Sequence, residues 1–358
     1  MKSVIKEKLR LLGESFLKVL TEKAEDSKND SRVLWDCKTI YSFDWYQGVG
    51  LYGFYRLYSL TKDKKYLDIM TSYYDEQISL GLPPKTVNSM APMLALCFLN
   101  QELKRGEYDA ILREWAEFLY RDLPRTANGL FQHTTSESDN ENQLWDDTLF
   151  MSVLFLAKAG VVYQKREYVE EAIYQFLGHA KYLIDTATGL WFHGFDFNGN
   201  HNFARALWGR GNSWITIFIP EFLEILEDYP IAESLERYIL EILNDQIKAL
   251  VRYQDKSGLW RTLIDDETSY LEASCAAGFG FGILKAVRKG YTDDKREESG
   301  LKALKAVIEN IGADGILKLV SGGTRMGLTK DFYKSIPIKP EPYGQAMAML
   351  ILIEGLLH

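Results

Sequence analysis

The 358-residue sequence predicts an all-α protein in which helical hairpins close into an α/α toroid. Three observations predict it. The helical period dominates: Leu9, Leu12, Phe16 and Leu20 recur at spacings of three and four, and the pattern returns in Ile111–Leu119, Tyr168–Leu183 and Leu235–Leu250. Six further segments are apolar nearly all round and rich in small residues: Gly48–Leu60, Ser89–Leu99, Thr148–Ala159, Ser213–Leu226, Ala273–Val287 and Gln345–Leu357. A helix hydrophobic on every side is buried on every side. Their starts recur every roughly 40 to 70 residues, a loose internal repeat, and one amphipathic helix lies between each pair. Alternating buried and half-buried helices are what an inner ring of six covered by an outer ring produces. A superhelical stack of helix pairs gives the same signal, and the count of six favours closure.

Along the chain, residues 1–9 are interrupted by charge every few positions. They read as an amphipathic helix, not as the apolar core of a signal peptide. No apolar run reaches about 18 residues, so no membrane span is expected. Short extended pieces are expected at Gly189–Phe195 and Gly258–Leu263, where aromatics mix with glycine. Ser136–Gln143 and the basic-tinged Gly322–Pro342 read as loops, and long loops in compact domains are often functional. Nothing divides the chain, so residues 1–358 are expected to form one domain.

Composition narrows the function. Hydrophobic residues make up 46% of the chain, enough for a full-sized core. The net charge of -8 comes with no basic run interleaved with aromatics, which excludes a nucleic-acid footprint. Cys37, Cys97 and Cys275 are odd in number and far apart; they read as buried thiols of a reducing, cytoplasmic compartment. No histidine pair has helical metal spacing, so neither a metal nor a cofactor is expected. Phosphate-cradling, dinucleotide-binding and nucleophile-elbow signatures are absent. Oligomeric state is not legible.

A polar or aromatic cluster precedes each apolar helix. In order they are Trp45-Tyr46-Gln47-Gly48, Lys85-Thr86-Val87-Asn88, Gln143-Leu144-Trp145-Asp146-Asp147, Trp208-Gly209-Arg210-Gly211-Asn212, Ser269-Tyr270-Leu271-Glu272 and Pro342-Tyr343-Gly344. In a toroid the inner helices run the same way, so these clusters gather at one mouth. Helix N-termini offer free N–H groups and partial positive charge, which suit an anion. Trp and Tyr faces suit sugar rings. A sugar acid satisfies both.

Several residues have competing readings. One of Asp146 and Asp147 serves as a helix N-cap; two adjacent carboxylates also raise the pKa of one of them, as a general acid requires. Arg210 between glycines is either a surface turn or a clasp for a carboxylate, the glycines letting backbone approach a ligand. His133 and His193 are either satisfied histidines in aromatic surroundings or ligand contacts. Asn88 is either the cap of the helix that follows or a polar contact.

The stretch Gln143-Leu144-Trp145-Asp146-Asp147-Thr148-Leu149-Phe150-Met151 resembles the signature of glycoside hydrolase family 105, the unsaturated rhamnogalacturonyl hydrolases. Trp45-Tyr46-Gln47-Gly48-Val49, Trp208-Gly209-Arg210-Gly211-Asn212-Ser213-Trp214, Gly258-Leu259-Trp260 and Ser269-Tyr270-Leu271-Glu272-Ala273-Ser274 agree in order and spacing. The resemblance implies an (α/α)6 barrel and an oligosaccharide substrate, left by a lyase, that ends in a 4,5-unsaturated uronate. It implies chemistry that begins by hydrating the C4=C5 bond, with Asp147 as the catalytic acid. It places Trp145, His193, Arg210 and Trp214 at substrate-binding positions, and Asn88, His133, Trp208 and Asn212 are expected beside them. One departure stands out. The related unsaturated glucuronyl hydrolases of family 88 place a second aspartate before the second inner helix, where this chain has Asn88. An amide is no base, which leaves Asp147 as the single acid/base. Two rivals remain at this point: an inverting glycosidase or a sugar epimerase on the same toroid, the glycosidase with Glu272 or Asp196 as its second carboxylate and the epimerase with a His pair, and a non-enzymatic helical scaffold.

Overall fold

All six apolar segments are helical in the computed structural model, which describes residues 2–21, 42–227 and 229–358. In chain order the hairpins comprise α1 (Lys2–Thr21) and α2 (Trp45–Thr61), α3 (Lys65–Leu80) and α4 (Ala91–Leu103), and α5 (Gly106–Arg121) and α6 (Leu154–Val162). There follow α7 (Arg166–Leu183) and α8 (Gly209–Leu226), α9 (Glu233–Tyr253) and α10 (Ala273–Arg288), and α11 (Glu297–Asn310), short α12 (Lys330–Lys334) and α13 (Pro342–Leu357). The even-numbered helices to α10, with α13, form the inner ring. Each packs on the next, and α13 returns to α2, so the ring closes and a superhelical stack is excluded. The outer helices cover it: α1 on α13, α3 on α2, α5 on α4 and α6, α7 on α6, α9 on α8 and α11 on α10. This is the (α/α)6 barrel the sequence predicts.

Burial explains the two helix types. In α13 every residue from Pro342 to Gly355 is buried. In α9 the buried positions Ile239, Ile242, Leu243, Gln246, Ile247 and Leu250 recur at threes and fours and mark one inward face. Each large apolar side chain so buried contributes about 1.5–3 kcal/mol. Small residues let the inner helices touch: a Cβ on Gly282 of α10 would lie 2.0 Å from the Thr216 carbonyl oxygen of α8. One core cluster runs from Ile5 to Ile353, and a small satellite holds Ala206, Trp208, Leu263, Tyr333 and Ile336. Cys97 and Cys275 are buried free thiols, as expected; Cys37 and the side chain of Leu20 lie outside the described residues. No helix among the described residues is long and apolar enough to cross a membrane.

The extended pieces form two antiparallel ribbons: β1 (Gln143–Trp145) with β2 (Gly194–Asp196), and β3 (Trp260–Arg261) with β4 (Leu271–Glu272). β2 and β3 fall in the two expected stretches; β1 and β4 are too short to show a period in sequence. The expected loop 322–342 contains α12, a departure explained by Thr329, whose hydroxyl accepts from Phe332 N at 3.2 Å and caps a single helical turn.

Candidate active site

The inner helices deliver their N-terminal clusters to one mouth, around a cavity of about 690 Å³. Four of the six clusters reach its wall, through Trp45 and Tyr46, Asn88, Trp145 and Asp147, and Arg210; the sixth, Pro342-Tyr343-Gly344, does not, though Glu341 directly before it does. The fifth also stays out of it: Glu272 is fully buried and Tyr270 bonds to Ser321 Oγ at 2.9 Å, behind the wall. Both expected loops complete the rim, one with Ser136, Glu137 and Asn140, the other with Thr324, Arg325, Phe332 and Lys339.

Asp147 sits where three local features meet. The helix that follows opens on a π-helical turn, Leu149–Val153, rather than a regular α turn; such turns recur at functional sites. The β1–β2 ribbon pairs Trp145 with Gly194, and Asp146 N donates to His193 O at 3.0 Å. That pairing brings His193 Nε2 to 3.3 Å from Asp147 Oδ2. On its other side His193 Nδ1 meets the Tyr333 hydroxyl at 2.7 Å, and that hydroxyl accepts from Gly327 N at 3.1 Å. These partners fit a neutral imidazole that accepts from Tyr333 and presents Nε2–H to Asp147. His133 stacks on Trp145, with centroids 4.3 Å apart, and bonds to Thr148 Oγ1 at 2.8 Å.

The electrostatics separate the two aspartates. Burial pushes Asp147 up, but the close approach of His193 Nε2, with His133 behind it, outweighs burial and holds it below the usual carboxylate range. Burial, then the charge of Asp147, pushes Asp146 well above it. Burial also drives His193 down and His133 down to about 4, toward the neutral form. The raised carboxyl of the pair is Asp146, whereas the resemblance gives the acid role to Asp147. Neither aspartate serves as the helix cap through its side chain: Thr148 precedes the first turn without a side-chain cap bond.

Arg210 is 1% exposed, so the surface-turn reading is excluded. Its Nη1 donates to Ser321 O at 2.7 Å, Gly322 O at 3.0 Å and Tyr343 OH at 3.1 Å, while Nε has no partner among the described residues. The flanking glycines, read as room for a ligand, make room for protein instead. A Cβ on Gly211 would fall 2.3 Å from Asp146 Oδ2, and one on Gly209 would fall 2.9 Å from Arg261 O.

Asn88 lines the cavity and is not a cap: Thr86 Oγ1 accepts from Ser89 N at 3.2 Å and does that work. Of the other expected residues, Trp145, His133 and Arg210 line the cavity. Trp208, Asn212 and Trp214 lie behind the wall. Asn212 holds the Trp191 backbone, at 2.8 Å on both N and O, and donates to Trp208 O at 2.9 Å. Trp214 stacks on Phe150 at 5.0 Å and meets Trp45 edge-on at 5.9 Å, and Trp208 packs on His193 at 4.4 Å. His193 reaches the site through Asp147 without itself forming the wall.

Sequence reasoning missed Tyr333, Arg325 and Asp44. Asp44 lines the cavity, and its carboxylate accepts from Trp45 N at 2.8 Å; burial pushes it up to about 6. Its place directly before the Trp45 cluster was the available signal. Asp146, Asp147 and His193 also bring potential ligand atoms within 4.8 Å of one another, the one such cluster among the described residues. Glu272 and Asp196, the carboxylates named for the inverting rival, are not in the wall.

The fold and site agree with comparisons to known proteins. The model of the family described as Glycosyl Hydrolase Family 88 matches residues 17–357. The unsaturated rhamnogalacturonyl hydrolase YesR of Bacillus subtilis (strain 168) is 33% identical over 319 residues, 88% of this chain and 90% of that protein. A crystal structure of a possible GH105 member from Klebsiella pneumoniae superposes with a TM-score of 0.95 at 44% identity, covering 100% of this chain and 94% of that one. The unsaturated glucuronyl hydrolase of Bacillus sp. GL1 shares the fold, with a TM-score of 0.72 at 16% identity over 98% of this chain and 96% of its own. The chain is thus a glycoside hydrolase, and it belongs to glycosyl hydrolase family 88.

Proposed function

We propose that this protein removes a 4,5-unsaturated uronic acid from the non-reducing end of lyase-generated oligosaccharides by hydrating the C4=C5 bond, acting in the cytoplasm. The observation that carries this reading is Asp147, set in the cavity wall with His193 behind it and Arg210 in the same cavity. The name of the Bacillus subtilis relative supports the substrate class.

The carboxylate of the unsaturated sugar meets Arg210 where it lines the cavity, a charge-assisted contact in a water-poor site. Trp145 packs on the ring. The acid form of Asp147 gives its proton to C4, positive charge develops at C5 and the ring oxygen, and water adds at C5 as Asp147 takes a proton back. The hemiketal opens to a ketone. C1, now a hemiacetal, releases the remaining oligosaccharide as an alcohol and becomes an aldehyde. One water is consumed. Trp208, Asn212 and Trp214 support the wall, and Asn88 holds a sugar hydroxyl or the water.

Besides Asp147 the cavity wall holds Asp44, Glu137 and Glu341, of which Asp44 is pushed up to about 6 by burial, and so direct inverting hydrolysis with Asp44 as the second carboxylate is the second reading. A panel of unsaturated and saturated oligosaccharides, followed by ultraviolet absorbance of the conjugated double bond and by released reducing ends, tests the proposal. Turnover of the unsaturated set alone is expected. Equal turnover of saturated glycosides contradicts it.

A further inference from the structure

The two motifs that stand out in the sequence meet at one buried point, and the hydration reading does not yet use it. The Asp146 carboxyl group is fully buried, absent from the cavity wall, and seated against the backbone of Gly211. Neither of its oxygens has a hydrogen-bond partner of acceptable geometry among the described residues. Its neighbour in sequence and space is the Asp147 carboxyl group, reached by His193 Nε2 at 3.3 Å. A buried ionised carboxylate without donors is strongly disfavoured, and an oxygen of each aspartate lies within 4.8 Å of the other, close enough for repulsion to favour one proton on the pair.

Resting on the hydration reading above, we infer that Asp146 is a positioning residue that stores, against Gly211, the proton that Asp147 delivers to C4. The proton passes from the Asp146 carboxyl to the Asp147 carboxylate and then to the substrate. When water adds at C5, its spare proton returns to Asp147 and on to Asp146, so the pair ends each cycle as it began. Burial and the Asp147 charge raise Asp146 while His193 holds Asp147 low, which places the resting proton on the inner carboxyl. The charged and titratable groups facing the pair are His193 beside β2, His133 before β1, Arg210 on α8 and Tyr333 on α12. The glycine of the Trp-Gly-Arg-Gly-Asn stretch is required because the stored carboxyl occupies the space of its side chain.

Two measurements on the full chain test this. The first needs no substrate: infrared difference spectra of wild type, Asp146→Asn and Asp147→Asn at pH 7. Wild type and Asp147→Asn should both show the protonated-carboxyl band that Asp146→Asn lacks. A wild-type band unchanged in Asp146→Asn overturns the inference and leaves the hydration reading intact. The second is kcat against pH for wild type and Asp146→Asn, both checked for fold by circular dichroism. With its store removed, Asp147 beside His193 ionises earlier. The limb where activity falls as pH rises should move down by about one pH unit or more, a tenfold or greater loss at pH 7 that is largely recovered in acid. A uniform loss at every pH, or activity abolished by a chelator and restored by a divalent cation, overturns it. The first would make Asp146 a packing residue, and the second would put a cation where the proton is placed.

Discussion

The barrel has buried charge at both ends, and the two ends treat it in opposite ways. Toward the C-terminal ends of the inner helices, Lys285 on α10 is fully buried and lies 2.7 Å from Glu221 and 2.6 Å from Glu224 of α8. Arg56 of α2 reaches Glu224 at 3.0 Å, and Tyr52 donates to Glu221 at 2.5 Å. Positive and negative groups alternate across three helices, and the network ties α2, α8 and α10 together. At the mouth, Asp146 has no donor of good geometry, Arg210 keeps Nε unused, and one oxygen of Glu272 has no partner among the described residues. Such groups destabilise a fold. They persist where a ligand or a moving proton completes them, so a buried carboxyl with no cation against it marks the end that works, and opposite charges in contact mark the end that holds.

Three substitutions probe the contrast, in order of expected effect. Asp147→Asn should cost about 10²–10⁴-fold in kcat with an unchanged circular dichroism spectrum, because an amide has no proton to give. An active Asp147→Asn would move the chemistry elsewhere in the cavity. Lys285→Met should do the reverse. It strands two buried glutamates and should lower stability by about 3–5 kcal/mol in denaturant titration. At temperatures where the variant is folded, kcat/KM should stay near wild type. A loss of activity without a loss of stability would erase the distinction between the two ends. Arg210→Ala should weaken binding of an unsaturated uronate by roughly 1.5–3 kcal/mol, and binding of a neutral analogue much less, when both are compared by calorimetry. Equal weakening would mean that Arg210 only ties down Ser321 and Gly322.

The contrast also separates what the sequence discloses from what it hides. The inner ring was legible because a helix buried on all sides carries apolar residues at every position, as α13 does. The gathering of the clusters followed from the parallel course of those helices. The neighbours of Asp147 were only half legible. His193 is 46 residues away in the chain, and a ribbon of three-residue strands brings it there, too short for any periodicity. Tyr333 arrives on a single helical turn inside a stretch read as loop. The glycines beside Arg210 do signal close approach, but what approaches is protein, the Arg261 carbonyl at Gly209 and the Asp146 carboxyl at Gly211. Sequence shows that a glycine makes room; only the fold shows for what. The apolar faces of Trp208 and Trp214 suggested sugar contacts, and both turned out to brace the wall.

On the hydration reading, the mouth adds water across a double bond and the glycosidic bond breaks as a consequence. The most direct test is reaction in deuterated water, with proton NMR of the released keto sugar sampled early, before neighbouring carbons exchange. Asp147 exchanges its proton with solvent between turnovers, so hydration predicts one deuterium on C4 of the first product. Direct hydrolysis at C1 never touches C4. A first product with no deuterium at C4 contradicts the hydration mechanism and leaves Asp44 and Asp147 as the pair of an ordinary inverting hydrolase.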